Sequence, residues 1–233
     1  MKKFSFIIIA AAALLSSCTI KVSNTIDKDE KQITKNLDLK DFNGIAIAGS
    51  GNVEYVQDSI YKVELIGSEE ALKELKLEVK DSILEISREG NHNFFIGKKL
   101  VISSNEFTVK ISSPNLKNIS ITGSGDFVSK KPLVTSELTA SITGSGDIKL
   151  DTITAKKVEV NISGSGDVAL KEKNVDNTRF SIAGSGDIET YFDNCNVVST
   201  SIAGSGDIRL SGNIKQLQND NEDVNIDNLK ITK

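Results

Sequence analysis

Along most of this chain apolar and polar residues alternate in short stretches. Ile45 and Ile47, Val53 and Tyr55, Val63 and Leu65, Leu77 and Val79, Leu100 and Ile102, and Phe107, Val109 and Ile111 each keep one parity between turn-forming residues. A period of two bounded by Gly, Asn, Asp and Ser predicts short β-strands with one buried face. Ile83 with Ile86, and Leu116 with Ile119 and Ile121, extend the series. One segment breaks it. Ser68-Glu69-Glu70-Ala71-Leu72-Lys73-Glu74-Leu75 starts with a capping Ser, has acids in the first positions and is built from helix formers, which predicts one or two helical turns.

From Ile119 onward the alternation is locked to a repeat. Gly-Ser-Gly-Asp begins at Gly123, Gly144, Gly164, Gly184 and Gly204, so the copies stand 21, 20, 20 and 20 residues apart. An altered copy, Gly49-Ser50-Gly51-Asn52, lies upstream. A fixed period near 20 residues is the mark of a solenoid, whose coils share one core. Aligned on the first Gly, the residue two before it is Ile in every copy: Ile47, Ile121, Ile142, Ile162, Ile182 and Ile202. Four before it stand Ile119, Ala140, Val160, Phe180 and Thr200; four after it stand Val53, Phe127, Ile148, Val168, Ile188 and Ile208; six after it stand Ser129, Leu150, Leu170, Thr190 and Leu210. The expected fold is all-β: a parallel β-helix or β-solenoid with coils of about 20 residues and an N-terminal β-rich part carrying one short helix.

If the chain stays extended through the motif, this parity turns both glycines inward and the Ser and Asp outward. The candidate binding residues are therefore Ser124, Ser145, Ser165, Ser185 and Ser205 with Asp126, Asp147, Asp167, Asp187 and Asp207. Coils of this length have a perimeter near ~66 Å, room for three short strands, and stack ~4.8 Å apart. Carboxylates that close repel by ~1 kcal/mol per pair even in water. Something must offset this. The first reading is a structural corner in which Asp accepts backbone N–H groups. The second is a calcium column, although calcium β-rolls use nine-residue repeats with facing half-sites. No other cofactor is expected, and no metal ligand is assigned.

Ahead of the strands, Lys2 and Lys3 precede an apolar run from Phe4 to Leu15 and then Leu15-Ser16-Ser17-Cys18. This is the layout of a secretory signal, with a run too short to span a bilayer stably. Leu-Ser-Ser-Cys resembles the lipobox of bacterial lipoproteins, which makes residues 1–17 the signal peptide and Cys18 the lipidated residue. Residues 18–40 are polar and read as a flexible tether. Residues 41–115 are the N-terminal β-rich part, either first coils or a small β domain, and the upstream Gly49 copy favours continuity. Residues 116–233 are the repeat solenoid, with Ser211–Lys233 as a polar cap over its open edge.

Without residues 1–17 the chain has 26 basic and 32 acidic side chains. An acidic chain has no electrostatic reason to bind nucleic acid, so its expected contacts are the membrane, through acyl chains, and a glycan or protein ligand. Cys195 has no partner for an internal disulfide and reads as a small core residue. The only His, His92, lies in a Gly- and Asn-rich loop with Phe94 and Phe95, read as a hairpin tip.

The lipobox, Phe42-Asn43-Gly44-Ile45, the segment Glu70–Leu75, the turn Ser113-Pro114-Asn115-Leu116 and the repeated Ile-x-Gly-Ser-Gly-Asp together resemble the DUF2807 family of bacterial envelope proteins, the auto-transporter adhesin head GIN domains. The resemblance covers about residues 42–215. It implies a β-helical fold and an envelope location, and it brings no established activity or site residues. An auto-transporter needs a membrane β-barrel, for which the residues after the repeats leave no room; a lipid anchor on Cys18, in the outer membrane, is expected in its place. The function expected is a non-enzymatic adhesin or binding scaffold. A polysaccharide-acting β-helix enzyme and a purely structural periplasmic scaffold are the alternatives.

Overall fold

Ile142 lies over Ile121 and Gly144 over Gly123 in a parallel ladder that keeps the repeats in register. The computed structural model describes residues 32–88, 94–96, 99–101, 107–219 and 224–232. The expected signal segment, Cys18 and His92 lie outside the described residues. The chain is nearly all-β and forms a parallel β-solenoid of about 5 turns with one short helix.

The N-terminal strands are β1 (Ile33–Leu37), β2 (Gly44–Gly49), β3 (Asn52–Gln57) and β4 (Lys62–Gly67), followed by helix α1 (Glu69–Lys73), β5 (Leu75–Lys80), β6 (Ile83–Arg88), a small hairpin of β7 (Phe94–Ile96) and β8 (Lys99–Val101), and β9 (Phe107–Ser113). Then come β10 (Asn118–Gly123), β11 (Asp126–Ser129), β12 (Leu133–Val134), β13 (Glu137–Gly144), β14 (Ile148–Thr154), β15 (Lys157–Gly164), β16 (Val168–Lys173), β17 (Asn177–Gly184), β18 (Ile188–Gly204), β19 (Ile208–Asn219) and β20 (Val224–Ile231).

One wall stacks β6, β2, β10, β13, β15, β17 and the second half of β18. A second wall stacks β9, β3, β11, β14, β16, the first half of β18, β19 and β20. The alternation read from the sequence becomes columns of buried side chains, such as Ile47, Ile121, Ile142, Ile162, Ile182 and Ile202. Each such side chain contributes roughly 1.5–3 kcal/mol by leaving water. Each coil makes one long run and a second run broken by a bend, which in the first repeat coil divides it into β11 and β12. The second is bent where the β14–β16 register shifts between Lys149 and Thr152.

The lower coils are wound differently. The coil made by β2 and β3 lies between the strands β6 and β9 on one side and β10 and β11 on the other. Below it, β5 pairs with β6, β4 with β9 and β1 with β4, all antiparallel. Asp81 and Ser82, both at positive φ, make the two-residue turn between β5 and β6, the backbone a tight hairpin needs. Ser68 caps α1 by accepting the Ala71 N–H at 3.2 Å, as expected. Lys31–Lys233 cluster as one compact unit, with an apolar core running from Phe42 to Ile214.

Three expectations are corrected. The tether is shortened, because Ile33–Leu37 is an edge strand on β4; its two apolar residues lie four apart, and it is held by backbone pairing more than by burial. Leu84, not Ile83, is buried with Ile86, as the parity of one strand demands. The motif is not extended. The segment after the last Gly-Ser-Gly-Asp is made of strands that stack on the solenoid, β19 as a parallel rung and β20 as a further one. On β20, Ile226 and Ile231 are largely exposed.

Candidate binding face

Each motif is a corner. The strand before it ends on the first Gly, whose φ runs from +125° at Gly123 to +149° at Gly204, angles that L side chains rarely adopt. The Ser N–H then donates to the carbonyl of the first Gly one coil earlier, at 2.8 Å for Ser145, Ser165, Ser185 and Ser205. The second Gly of each repeat is buried, as the inward expectation has it, whereas the first Gly is not, and for that position the expectation is corrected. Both glycines face the coil beneath: a Cβ added to Gly184 would stand 2.1 Å from the Gly164 carbonyl oxygen, and one added to Gly166 would stand 2.0 Å from that of Gly146. The lowest coil ends this column differently, with the Phe107 ring against Gly51.

The Ser side chains of all five repeats are exposed, and the Asp side chains are half-buried except the more open Asp167. Asp126 Oδ1 accepts the N–H of Asp147 at 3.1 Å, and Asp147 Oδ1 that of Asp167 at 3.1 Å. Asp167 and Asp187 accept the N–H groups of Asp187 and Asp207, each at 2.9 Å. The carboxylate column is thus bonded from within. A charged acceptor of this kind is worth roughly 1.5–3 kcal/mol, more than the ~1 kcal/mol repulsion between neighbouring rungs in water. At the lowest step, where Asn52 replaces Asp, the Asp126 N–H turns to the Gly51 carbonyl at 3.0 Å. The second carboxylate oxygens face cations: Lys149 is 3.4 Å from Asp147, and Arg209 spans Asp187 and Asp207 at 3.4 and 3.1 Å. Among the described residues no group of three or more His, Cys, Asp or Glu comes close enough to hold a metal ion.

A buried polar cluster was not anticipated. Glu172 lies inside the coil stack, in register with Ile153 below and Phe192 above. The Thr178 hydroxyl donates to its Oε2, and Oε1 has no hydrogen-bond partner among the described residues. Burial pushes its pKa up to about 8. Cys195 is buried too, its thiol pushed up to about 12 chiefly by burial. Lys171-Glu172-Lys173 reads as a solvent-facing charge run; only alignment with Phe192 one coil later marks the position as interior.

The family described as "Putative auto-transporter adhesin, head GIN domain", DUF2807, matches residues 41–215. The chain belongs to this family. Among solved structures, this DUF2807 chain is similar to a putative adhesin from Bacteroides fragilis, with 23% identity, a TM-score of 0.67, and coverage of 86% of this chain and 96% of that one. It is similar to a putative adhesin from Parabacteroides merdae at 21% identity and a TM-score of 0.61, covering 87% and 98%. A protein from Parabacteroides distasonis described as a putative lipid binding protein shares 21% identity and a TM-score of 0.55, covering 85% and 98%. These likenesses establish the fold. No curated protein matches the chain. Family membership points to an adhesin-like, non-enzymatic role at the bacterial cell envelope or surface.

Proposed function

We propose that this DUF2807 protein is a lipid-anchored envelope protein, held in the outer membrane through Cys18, that acts as an adhesin or binding scaffold by presenting the wall of its solenoid. The observation that carries the reading is the column of exposed hydroxyls at Ser124, Ser145, Ser165, Ser185 and Ser205, fixed one coil apart by the Ser N–H bonds beneath it. A rigid array of like groups suits a repetitive or extended ligand. The aspartates act mainly as the clasp that spaces this array, since each from Asp126 to Asp187 gives one oxygen to the next coil. Their equivalent engagement argues for a scaffold over a carboxylate-based enzyme, in which one acid stands apart from its neighbours.

Labelling cells with a palmitate analogue tests the anchor: label is expected on the wild-type chain and absent from Cys18→Ala. Adhesion of expressing cells to arrayed glycans and matrix proteins tests the function. Absence of any adhesion above vector-only cells, with the protein shown to be surface-exposed by antibody access, overturns the reading.

A further inference from the structure

Where the register of β14 on β16 shifts between Lys149 and Thr152, the two residues Leu150 and Asp151 stand against Leu170 alone. Such a bulge bends its strand and re-aims a side chain. Along the bend lies a trough of ≈ 560 Å³ that crosses four successive coils, from Lys130 through Asp151 and Lys171 to Tyr191. Ala169 is the small member of a column in which Lys149 stands on one side of it and Glu189 on the other, so the wall dips there. Tyr191, 48% exposed, is the ladder partner of Lys171 in the next column.

The charges of the lining are matched. Lys149 is 3.4 Å from Asp147 and is neutralised by it. Two cations, Lys130 and Lys171, and two anions, Asp151 and Glu189, remain in the lining, with no ion pair for any of the four among the described residues. Asp151 accepts only the Thr152 hydroxyl at 3.4 Å. Lys130, Lys171 and Glu189 are exposed and Asp151 is half-buried. An anionic ligand would meet the two carboxylates and a cationic one the two ammonium groups, and like-charge approach costs affinity in either case. A neutral ligand whose hydroxyls both donate and accept can use all four.

The strands along the trough are paired on both edges, so a peptide has no edge to join by backbone pairing. The ligand must be held by side chains. Coils rise by ~4.8 Å, about the length of one sugar unit, so an extended glycan along the stack meets one coil per unit. The exposed Tyr191 ring offers an apolar face with a polar tip, suited to the C–H face of a pyranose, and Leu150 and Leu170 contribute apolar lining beside it. The volume lies in the range of roughly 300–1,000 Å³ that small-molecule sites occupy.

We propose that the trough is a binding site for a linear neutral glycan, with a sugar ring against Tyr191, hydroxyls donating to Asp151 and Glu189, and hydroxyls accepting from Lys130 and Lys171. The site rests on the adhesin reading and gives it a ligand class. Each contact is exposed to water and weak, so affinity comes from several units bound at once.

The test is calorimetric titration of the folded chain with two neutral β-1,4-linked hexaoses, cellohexaose and mannohexaose, beside an anionic hexagalacturonate and a cationic chitosan hexamer. Binding of a neutral hexaose is expected, stronger than that of either charged hexamer and little changed by added salt. Its affinity is expected to fall about threefold to tenfold for each of Lys171→Ala, Glu189→Gln and Tyr191→Ala. All three side chains are exposed, so unchanged circular dichroism checks folding, and the comparison of neutral with charged hexamers on the wild-type chain stands without the variants. Binding of neither neutral hexaose, tighter binding of a charged hexamer, or affinity unmoved in the three variants overturns the site. Cells that still adhere while the chain binds neither hexaose leave the adhesin reading standing; cells that do not adhere remove that reading separately.

Discussion

Asp167 Oδ1 accepts the backbone N–H of Asp187 at 2.9 Å. The same residue position thus both supplies the acceptor on one coil and the donor on the next, so each motif copy specifies the height of its successor. Removing the acceptor leaves a backbone N–H without its charged partner. Asp167→Ala is expected to lower the free energy of unfolding by roughly 1.5–3 kcal/mol, and Asp167→Asn, which keeps a carbonyl oxygen, by less. Equilibrium denaturation of the two variants checks the order.

The glycines separate two physical demands. At Gly49 φ is +105° and nothing lies within 4 Å of an added Cβ, whereas at Gly184 φ is +143° and the Gly164 carbonyl oxygen would be 2.1 Å away. Gly49→Ala therefore meets backbone strain alone, about 1–3 kcal/mol. Gly184→Ala must also push adjacent coils apart, and is expected to cost more than ~4 kcal/mol. Thermal melts of both variants would show equal losses if coil contact were unimportant.

Glu172 gives the fold a pH dependence. Its pKa rises from 4.5 to about 8 on folding because burial disfavours the charged form. The folded chain therefore holds a proton that the unfolded chain has released, and stability falls as pH rises from about 4.5 to about 8. The neighbouring Cys195 thiol stays neutral across that range, with its pKa at about 12. Glu172→Gln is expected to be more stable than wild type at pH 8, with the difference closing toward pH 4.5; parallel denaturation curves at the two pH values measure it.

Cys195 is 1% exposed. A neutral, enclosed thiol is a poor nucleophile. In a Cys18→Ser background the native chain is expected to resist a thiol-reactive disulfide reagent at pH 8 and to titrate one thiol per chain in guanidinium. Rapid reaction of the native chain would show that the coil interior opens.

The base of the stack is closed by an aromatic ring. Phe107 is buried against Gly51, and the Arg88 guanidinium lies 5.2 Å above its ring centroid. Phe107→Ala is expected to cost roughly 3–5 kcal/mol, checked by denaturant midpoint, because no further Gly-Ser-Gly coil exists below to fill the space.

Much of this molecule is written in its periodicity. The spacing of Gly-Ser-Gly-Asp determined a stacked coil, and parity around it determined which side chains are buried, from Ile47 to Leu210, because a strand exposes alternate residues to opposite faces. The helix cap at Ser68 was equally local. Tertiary structure decided the rest. Only the stack shows that Asp carboxylates bond the coil above, that the glycines are required by the coil beneath, and that Glu172 lies between Ile153 and Phe192. Those relations join residues about 20 positions apart, and their energies come from distances between coils that no local pattern contains. The winding of β4 to β9 beneath β2 and β3 was hidden for the same reason: antiparallel and parallel strands share one alternation, and only the pairing of whole walls chooses between them.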